Sequence, residues 1–343
     1  MADTKDFIDS EDDEVMTGFE IKFMDEEADL EDEKEKEDAD DIEAQPPEIT
    51  FEGNMQLVDV RPFTQYIFPS VATYDFQPWD RFYLDGKVDL TQLVFNPKWY
   101  EFFDLVYQKN YFGKIEQILS KVIEKKHTIL PYPELVFNAL NIVSPSKIKV
   151  VIIGQDPYFN TNVIGNKSIP QAMGCSFSVP VGTPKPPSLG NIYKNLLDHH
   201  HISVIPTTGN LSYWLLQGCL MINAAFTTIQ GKANAHKDTW KEFTQDLLKY
   251  INSACDNIVF MAWGKDAHIL CLNIDPTKHH IITSSHPSPY SYSSEYRGLA
   301  YGLDVKTRKQ VIYPPFKDTD HFGEANSYLQ SVGKSGIIWD LFE

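Results

Sequence analysis

No cysteine in this chain has a near neighbour of its own kind. Cys175, Cys219, Cys255 and Cys271 are the only four among 343 residues, and no two form a C-x-x-C pair. That scatter excludes a zinc ribbon or a disulfide framework and lacks the spacing of an iron–sulfur site. Long apolar runs are missing too. No stretch approaches the roughly 18 residues that a membrane-crossing helix needs. The N-terminus is acidic, unlike a secretory leader. These absences lead us to expect a soluble intracellular protein with reduced thiols, nuclear or cytoplasmic, with no membrane partner. Internal repeats are also lacking.

An excess of positive charge is missing as well, since the formal net charge is −18. Spread evenly, that value would argue against a nucleic-acid partner. It is not spread evenly. Residues 1–50 hold 22 Asp and Glu against 4 Lys, which accounts for the whole excess. The 26 acidic and 26 basic residues that follow cancel. A stretch such as "DEEADLEDEKEKEDADD" cannot bury enough apolar surface to offset its ordering entropy, so residues 1–50 read as a disordered acidic tail. The functional alternative to a plain disordered tail is one that mimics DNA or binds a replication or repair partner.

What is present after the tail is aromatic and then regular. Residues 51–94 carry Tyr66, Tyr74, Phe76, Trp79 and Tyr83 among others. They read as an irregular extension packed on a main domain at 95–343. "WYEFFDLVYQKNYFGKIEQILSKVIEKK" has helical periodicity on both sides of Asn110, and "SLGNIYKNLLDHH", "TWKEFTQDLLKYINSA" and "HFGEANSYLQSVG" continue the helices. Between them lie "KVVIIG", "GCLMINAAFT", "NIVFMAW" and "HHIITSS", apolar runs of strand length. Alternation of this kind predicts a three-layer α/β/α sandwich around a central, mainly parallel four-stranded sheet.

Three of the four runs carry unusual polar groups at their ends: "GQDPY", "INAAF" and "SSHPSP". In open α/β sheets, ligands bind beyond the carboxyl ends of the strands. Taken singly, Asp-Pro is common turn chemistry and Asn223 could be a satisfied buried amide. Together, and in order with "GCSFSVP", "PPSLGNIY", "ANAHKDTWKEFTQDLL" and "VFMAWGKDA", they resemble family 1 uracil-DNA glycosylases. The resemblance spans about residues 95–343.

The resemblance implies hydrolysis of the bond between uracil N1 and deoxyribose C1′, without cofactor or metal. It assigns Asp156 and His286 as catalytic. Asp156 would stabilise the cationic sugar and orient water, and His286 would donate to uracil O2. Gln155, Tyr158, Phe177 and Asn223 would hold the base: Asn223 reads N3–H and O4, Tyr158 blocks a 5-methyl group, and Phe177 stacks. Pro186, Pro187, Ser188, Gly264, Lys265, Ser288, Tyr290 and Ser291 would grip the DNA. The implied partners are single- or double-stranded uracil-containing DNA and proteinaceous DNA-mimic inhibitors, with the chain a monomer.

The sequence departs from the family pattern at four places. Phe159-Asn160 replaces His-Gly after "GQDPY", and the segment from Tyr158 to Phe177 is long. Tyr290 stands where the family inserts leucine into the DNA stack. Extra chain, "YRGLAYGLDVKTRKQVIYPPFKDTD", precedes "HFGEAN"; its Arg297, Lys306, Arg308 and Lys309 are expected to extend phosphate contacts. A DNA-binding or replication-scaffold protein with weak catalysis is the alternative reading, and a glycosylase with altered base choice a third.

Overall fold

Val150–Gly154 (β1), Cys219–Asn223 (β2) and Val259–Trp263 (β3) are buried at every position in a computed structural model of the chain. Burial on both faces explains why they read as unbroken apolar runs rather than as alternating ones. With His280–Ser284 (β4) they form one sheet in the order β2-β1-β3-β4, and every pairing is parallel. The register aligns Gly154 with Asn223, and Trp263 with Ser284. All four strands therefore end at the same edge. The chain leaves β1 for one neighbour and returns to the other side of it, which opens a crevice at that edge.

The structure describes residues 63–94, 96–302, 306 and 308–341. The disorder expected of residues 1–50 lies outside them. Tyr100–Gln108 (α1), Tyr111–Glu124 (α2) and Lys237–Ala254 (α4) pack together through Phe102, Phe112 and Phe243. Asn110 breaks α1 from α2 by taking a left-handed conformation, φ 52°. Pro187–Asp198 (α3), Lys265–Cys271 (α5) and His321–Ser331 (α6) complete the helical layers. On the α6 side Trp214, Phe322, Trp339 and Trp263 meet edge to face. The layers are those expected.

Three features were not read from the sequence. The long segment after Tyr158 is an antiparallel hairpin, Thr161–Ile164 with Lys167–Pro170. The extra chain before α6 is a second hairpin, Tyr296–Leu299 with Gln310–Tyr313. Residues 63–94 hold short helices at Phe63–Ile67 and Trp79–Phe82. Trp79 from this segment is buried and donates its indole N–H to the Pro131 carbonyl at 2.8 Å. Among the described residues no helix is long and apolar enough to cross a membrane.

Candidate active site

A cavity opens where the four strands end, lined among others by Gln155, Asp156, Tyr158, Phe177, Asn223 and His286. Six side chains from four separate motifs thus share one space. Asp156 follows β1, and its Oδ2 accepts the backbone N–H of Asn234 at 2.7 Å. Burial raises its pKa, the Asn234 N–H opposes the rise, Asp266 adds to it and Lys237 lowers it. The result is a carboxylate of enhanced basicity, fixed by one oxygen. Asn234 sits in a left-handed turn, φ 57°, and its Oδ1 accepts from Gln155 Nε2 at 3.0 Å. That bond orients the Gln155 side chain toward Asn234.

Asn223 ends β2, opposite Gly154 in the register. Among the described residues nothing hydrogen-bonds its carboxamide. Close packing restrains it instead: a Cβ on Gly154 would lie 2.2 Å from Asn223 Oδ1. Only glycine at 154 leaves the amide its place.

His286 follows β4, and its Nδ1 accepts the Ser288 backbone N–H at 3.0 Å. The proton of the neutral ring therefore resides on Nε2, which makes that nitrogen a donor. Burial pushes the imidazole pKa down to about 4, opposed by Asp266. At neutral pH the ring is an uncharged donor. Gly264, at the end of β3, has φ 84°, and a Cβ there would meet His286 Cβ at 2.8 Å. The β3 and β4 loops consequently touch only because residue 264 has no side chain.

Tyr158 and Phe177 form the aromatic wall. The Tyr158 hydroxyl donates to the Phe177 carbonyl at 3.3 Å, and burial raises its pKa. Phe177 holds φ 62°, a conformation that costs a non-glycine residue of order 1–3 kcal/mol. Its ring packs against Trp263 at 5.4 Å and against His286 at 5.9 Å.

Comparison with known proteins gives this chain relatives. A probable uracil-DNA glycosylase of Acanthamoeba polyphaga mimivirus is 47% identical over 293 residues, 85% of this chain and 78% of the relative. The uracil-DNA glycosylase of Campylobacter curvus is 37% identical, over 74% of this chain and 97% of the relative. The chain belongs to the uracil-DNA glycosylase superfamily. The profile of that superfamily matches residues 141–311. A crystal structure of the mimivirus uracil-DNA glycosylase superposes with a TM-score of 0.78 at 48% identity, covering 82% of this chain and all of the other. A tyrosine-substituted variant of that enzyme has been solved in complex with UGI, with a TM-score of 0.77 at 47% identity.

Around the glycosylase pocket lie the loops expected to hold DNA. Pro186 precedes α3, Pro187 begins it, and Ser188 is a cavity residue, so the unpaired N–H groups of the first turn lie beside the pocket. Lys265 is exposed at the start of α5. Ser288 and Ser291 hydroxyls meet at 2.9 Å, and Ser291 Oγ donates to the His286 carbonyl at 3.1 Å. These bonds shape the turn that presents Tyr290, which is 96% exposed. Asp266, a carboxylate beside this surface, is paired with Lys237 at 2.9 Å.

One expectation fails. Arg308 was to reach phosphate, but its guanidinium donates to the Leu272 and Gly302 carbonyls and to Asn273 Oδ1 at 2.7–3.2 Å. It is a strut between the second hairpin and the end of α5. Sequence reading also passed over Asn234, Trp263 and Asn191, whose Nδ2 ties α3 to the Pro287 carbonyl at 2.7 Å. Among the described residues no group of three or more His, Cys, Asp or Glu side chains forms a metal site.

Proposed function

We propose that the chain flips uracil out of DNA and hydrolyses its N-glycosidic bond, the first step of base excision repair. The supporting observation is that a basic carboxylate and a neutral imidazole donor border one cavity. As C1′–N1 breaks, the electron pair stays on the uracil and the sugar becomes cationic. Asp156 stabilises that charge and takes a proton from the water whose oxygen bonds to C1′. His286 Nε2–H donates to uracil O2, where the departing charge gathers, and the Gln155 backbone lies along the same ring. Asn223 accepts from N3–H and donates to O4, a pattern that cytosine reverses. Tyr158 fills the space of a 5-methyl group and Phe177 stacks on the base.

Pro186, Pro187, Ser188, Gly264, Lys265, Ser288 and Ser291 hold the flanking phosphates, and Tyr290 wedges into the stack. Single and double strands both fit this reading. A proteinaceous DNA mimic would occupy the same face. The acidic tail at 1–50 serves a replication or repair partner, the segment 51–94 braces the catalytic domain 95–343, and the chain works inside the cell as a monomer.

The test is incubation with a uracil-containing oligonucleotide in EDTA, then alkaline cleavage. Strand breaks are expected. Asp156→Asn should lower the single-turnover rate by at least ~10²-fold, the scale of one positioned electrostatic or acid–base group, and leave binding intact. No breaks at high native enzyme concentration would favour the scaffold reading. A mutant rate within a few-fold of native would remove Asp156 from its role.

A further inference from the structure

The hairpin Thr161–Ile164/Lys167–Pro170 takes no part in the chemistry above, yet the pocket wall runs into it at both ends. Phe159 lies just before the hairpin and Ala172 just after it, and both line the cavity. Four bonds fix its surroundings. Gln171 N–H donates to the Asn160 carbonyl at 3.1 Å and Gly231 N–H to the Phe159 carbonyl at 2.9 Å. Gln230 Nε2 donates to Thr161 Oγ1 at 3.1 Å, and Lys167 Nζ to the Tyr74 carbonyl at 2.9 Å.

The tip is open by contrast. Val163 is 79% exposed, and a Cβ on Gly165 would meet nothing within 4 Å. Charge is distributed unusually here. No Asp or Glu occurs from Pro157 to Leu197; of the three lysines there, Lys167 and Lys185 keep their charge while donating to the Tyr74 and Pro206 carbonyls, and Lys194 pairs with Asp198. Asn160 and Asn166 are exposed and supply amide donors. A polyanion approaching this side of the pocket meets no opposing carboxylate within the segment.

We infer that the hairpin is an additional DNA-binding ledge for the backbone of the uracil-bearing strand, on the flank bordered by Asp156 rather than by the His286–Tyr290 loop. The inference rests on the proposed function. Strands of four residues rising ~3.3 Å each carry the tip about 10 Å from its base. One strand of duplex advances about 3.4 Å per nucleotide, so the ledge spans roughly three nucleotides on one side of the uracil.

The experiment uses single-uracil oligonucleotides trimmed from five nucleotides to one on the 5′ side, and a matching set trimmed on the 3′ side. Native chain is compared with Val163→Asp/Asn166→Asp, which places two negative charges on the exposed tip. A second variant replaces residues 162–168 by a two-residue Asn-Gly turn. Leu84→Asp, at a position 89% exposed outside the pocket, is the control. At low salt both hairpin variants should lose about 5–10-fold in kcat/KM on long substrates, the scale of one or two lost phosphate contacts. The loss should vanish as one flank is trimmed and not the other, and Leu84→Asp should match native. Equal loss at every length, no loss, or the same loss in Leu84→Asp overturns the ledge. Cleavage of the shortest substrate by all variants keeps uracil hydrolysis separate from it. A native chain that cleaves nothing overturns the proposed function instead.

Discussion

In the proposed reaction Tyr158 is the group set against the 5-methyl of thymine, because thymine and uracil share the edge assigned to Asn223. A mismatch of one methyl in a loose pocket is worth only about 1–3 kcal/mol, whereas a fixed ring excludes it sterically. The ring is buried and held at its hydroxyl by the Phe177 carbonyl. Tyr158→Ala should therefore admit thymine, scored by cleavage of oligonucleotides with one defined target base. Cytosine should stay uncleaved, since its edge still opposes Asn223. A mutant that cleaves uracil and rejects thymine as native does would return Tyr158 to a turn residue. At this scale the motif residues were legible because their chemistry is in the side chain. Asn234 was not, because it holds Asp156 with a backbone N–H that almost any residue type could supply. Trp263 reads simply as the end of an apolar strand, and nothing in "VFMAW" says that its ring backs Phe177.

Elements were legible in proportion to how completely they are buried. The strands β1, β2 and β3 read as unbroken apolar runs, and α4 by its periodicity. The hairpin strands "TNVI" and "KSIP" are short, and their burial follows no alternation: Val163, Lys167 and Ser168 are exposed, Thr161, Asn162 and Ile164 half-buried, Ile169 and Pro170 buried. The second hairpin is held by aromatic stacking: Tyr296 on Tyr313 at 5.2 Å, both rings against His268. Such contacts join residues distant in sequence. The same applies to the segment 63–94, whose Tyr66, Tyr74, Phe76, Trp79 and Tyr83 are all buried. Truncating a large buried aromatic to alanine costs about 3–5 kcal/mol, and a whole domain is stable by only about 5–15. Cutting the chain to residues 95–343 should therefore abolish its cooperative melt, while 51–343 should melt like the full chain and cleave uracil. Circular dichroism melts of the two truncations decide this. A well-folded 95–343 fragment would show that the segment is an accessory layer.

For the whole molecule, buried histidines set the response to acid. Burial depresses His236, His268 and His286 to about 4 and His321 to about 3. In the unfolded chain they return to about 6.5. Between those values the unfolded state binds more protons, so stability falls as pH falls from about 6.5 toward 4 and is complete above that window. Asp246 works in the same direction. Burial alone would raise its pKa, but Lys109, Tyr111 and Lys249 hold it below the ordinary carboxylate value. Asp156 and Glu116, both raised by burial, oppose the trend. The four histidines outweigh them, and Tm should drop by at least about 5 °C between pH 7 and pH 5. A flat calorimetric Tm across that range would mean that these rings are protonated in the folded state.

The four cysteines are free and buried, and burial raises the pKa of each thiol. Thiolate is the reactive form, so the native chain is close to inert toward alkylating reagents, whereas unfolding releases four ordinary thiols together. The protein thereby contains its own reporter of opening. Mass spectrometry after a brief alkylation pulse should show molecules with no added label or with four, and few between, wherever the fold opens as one unit. A population carrying a single label would mark Cys255, the least enclosed of the four, and would locate the first part of the fold to loosen near the C-terminal end of α4.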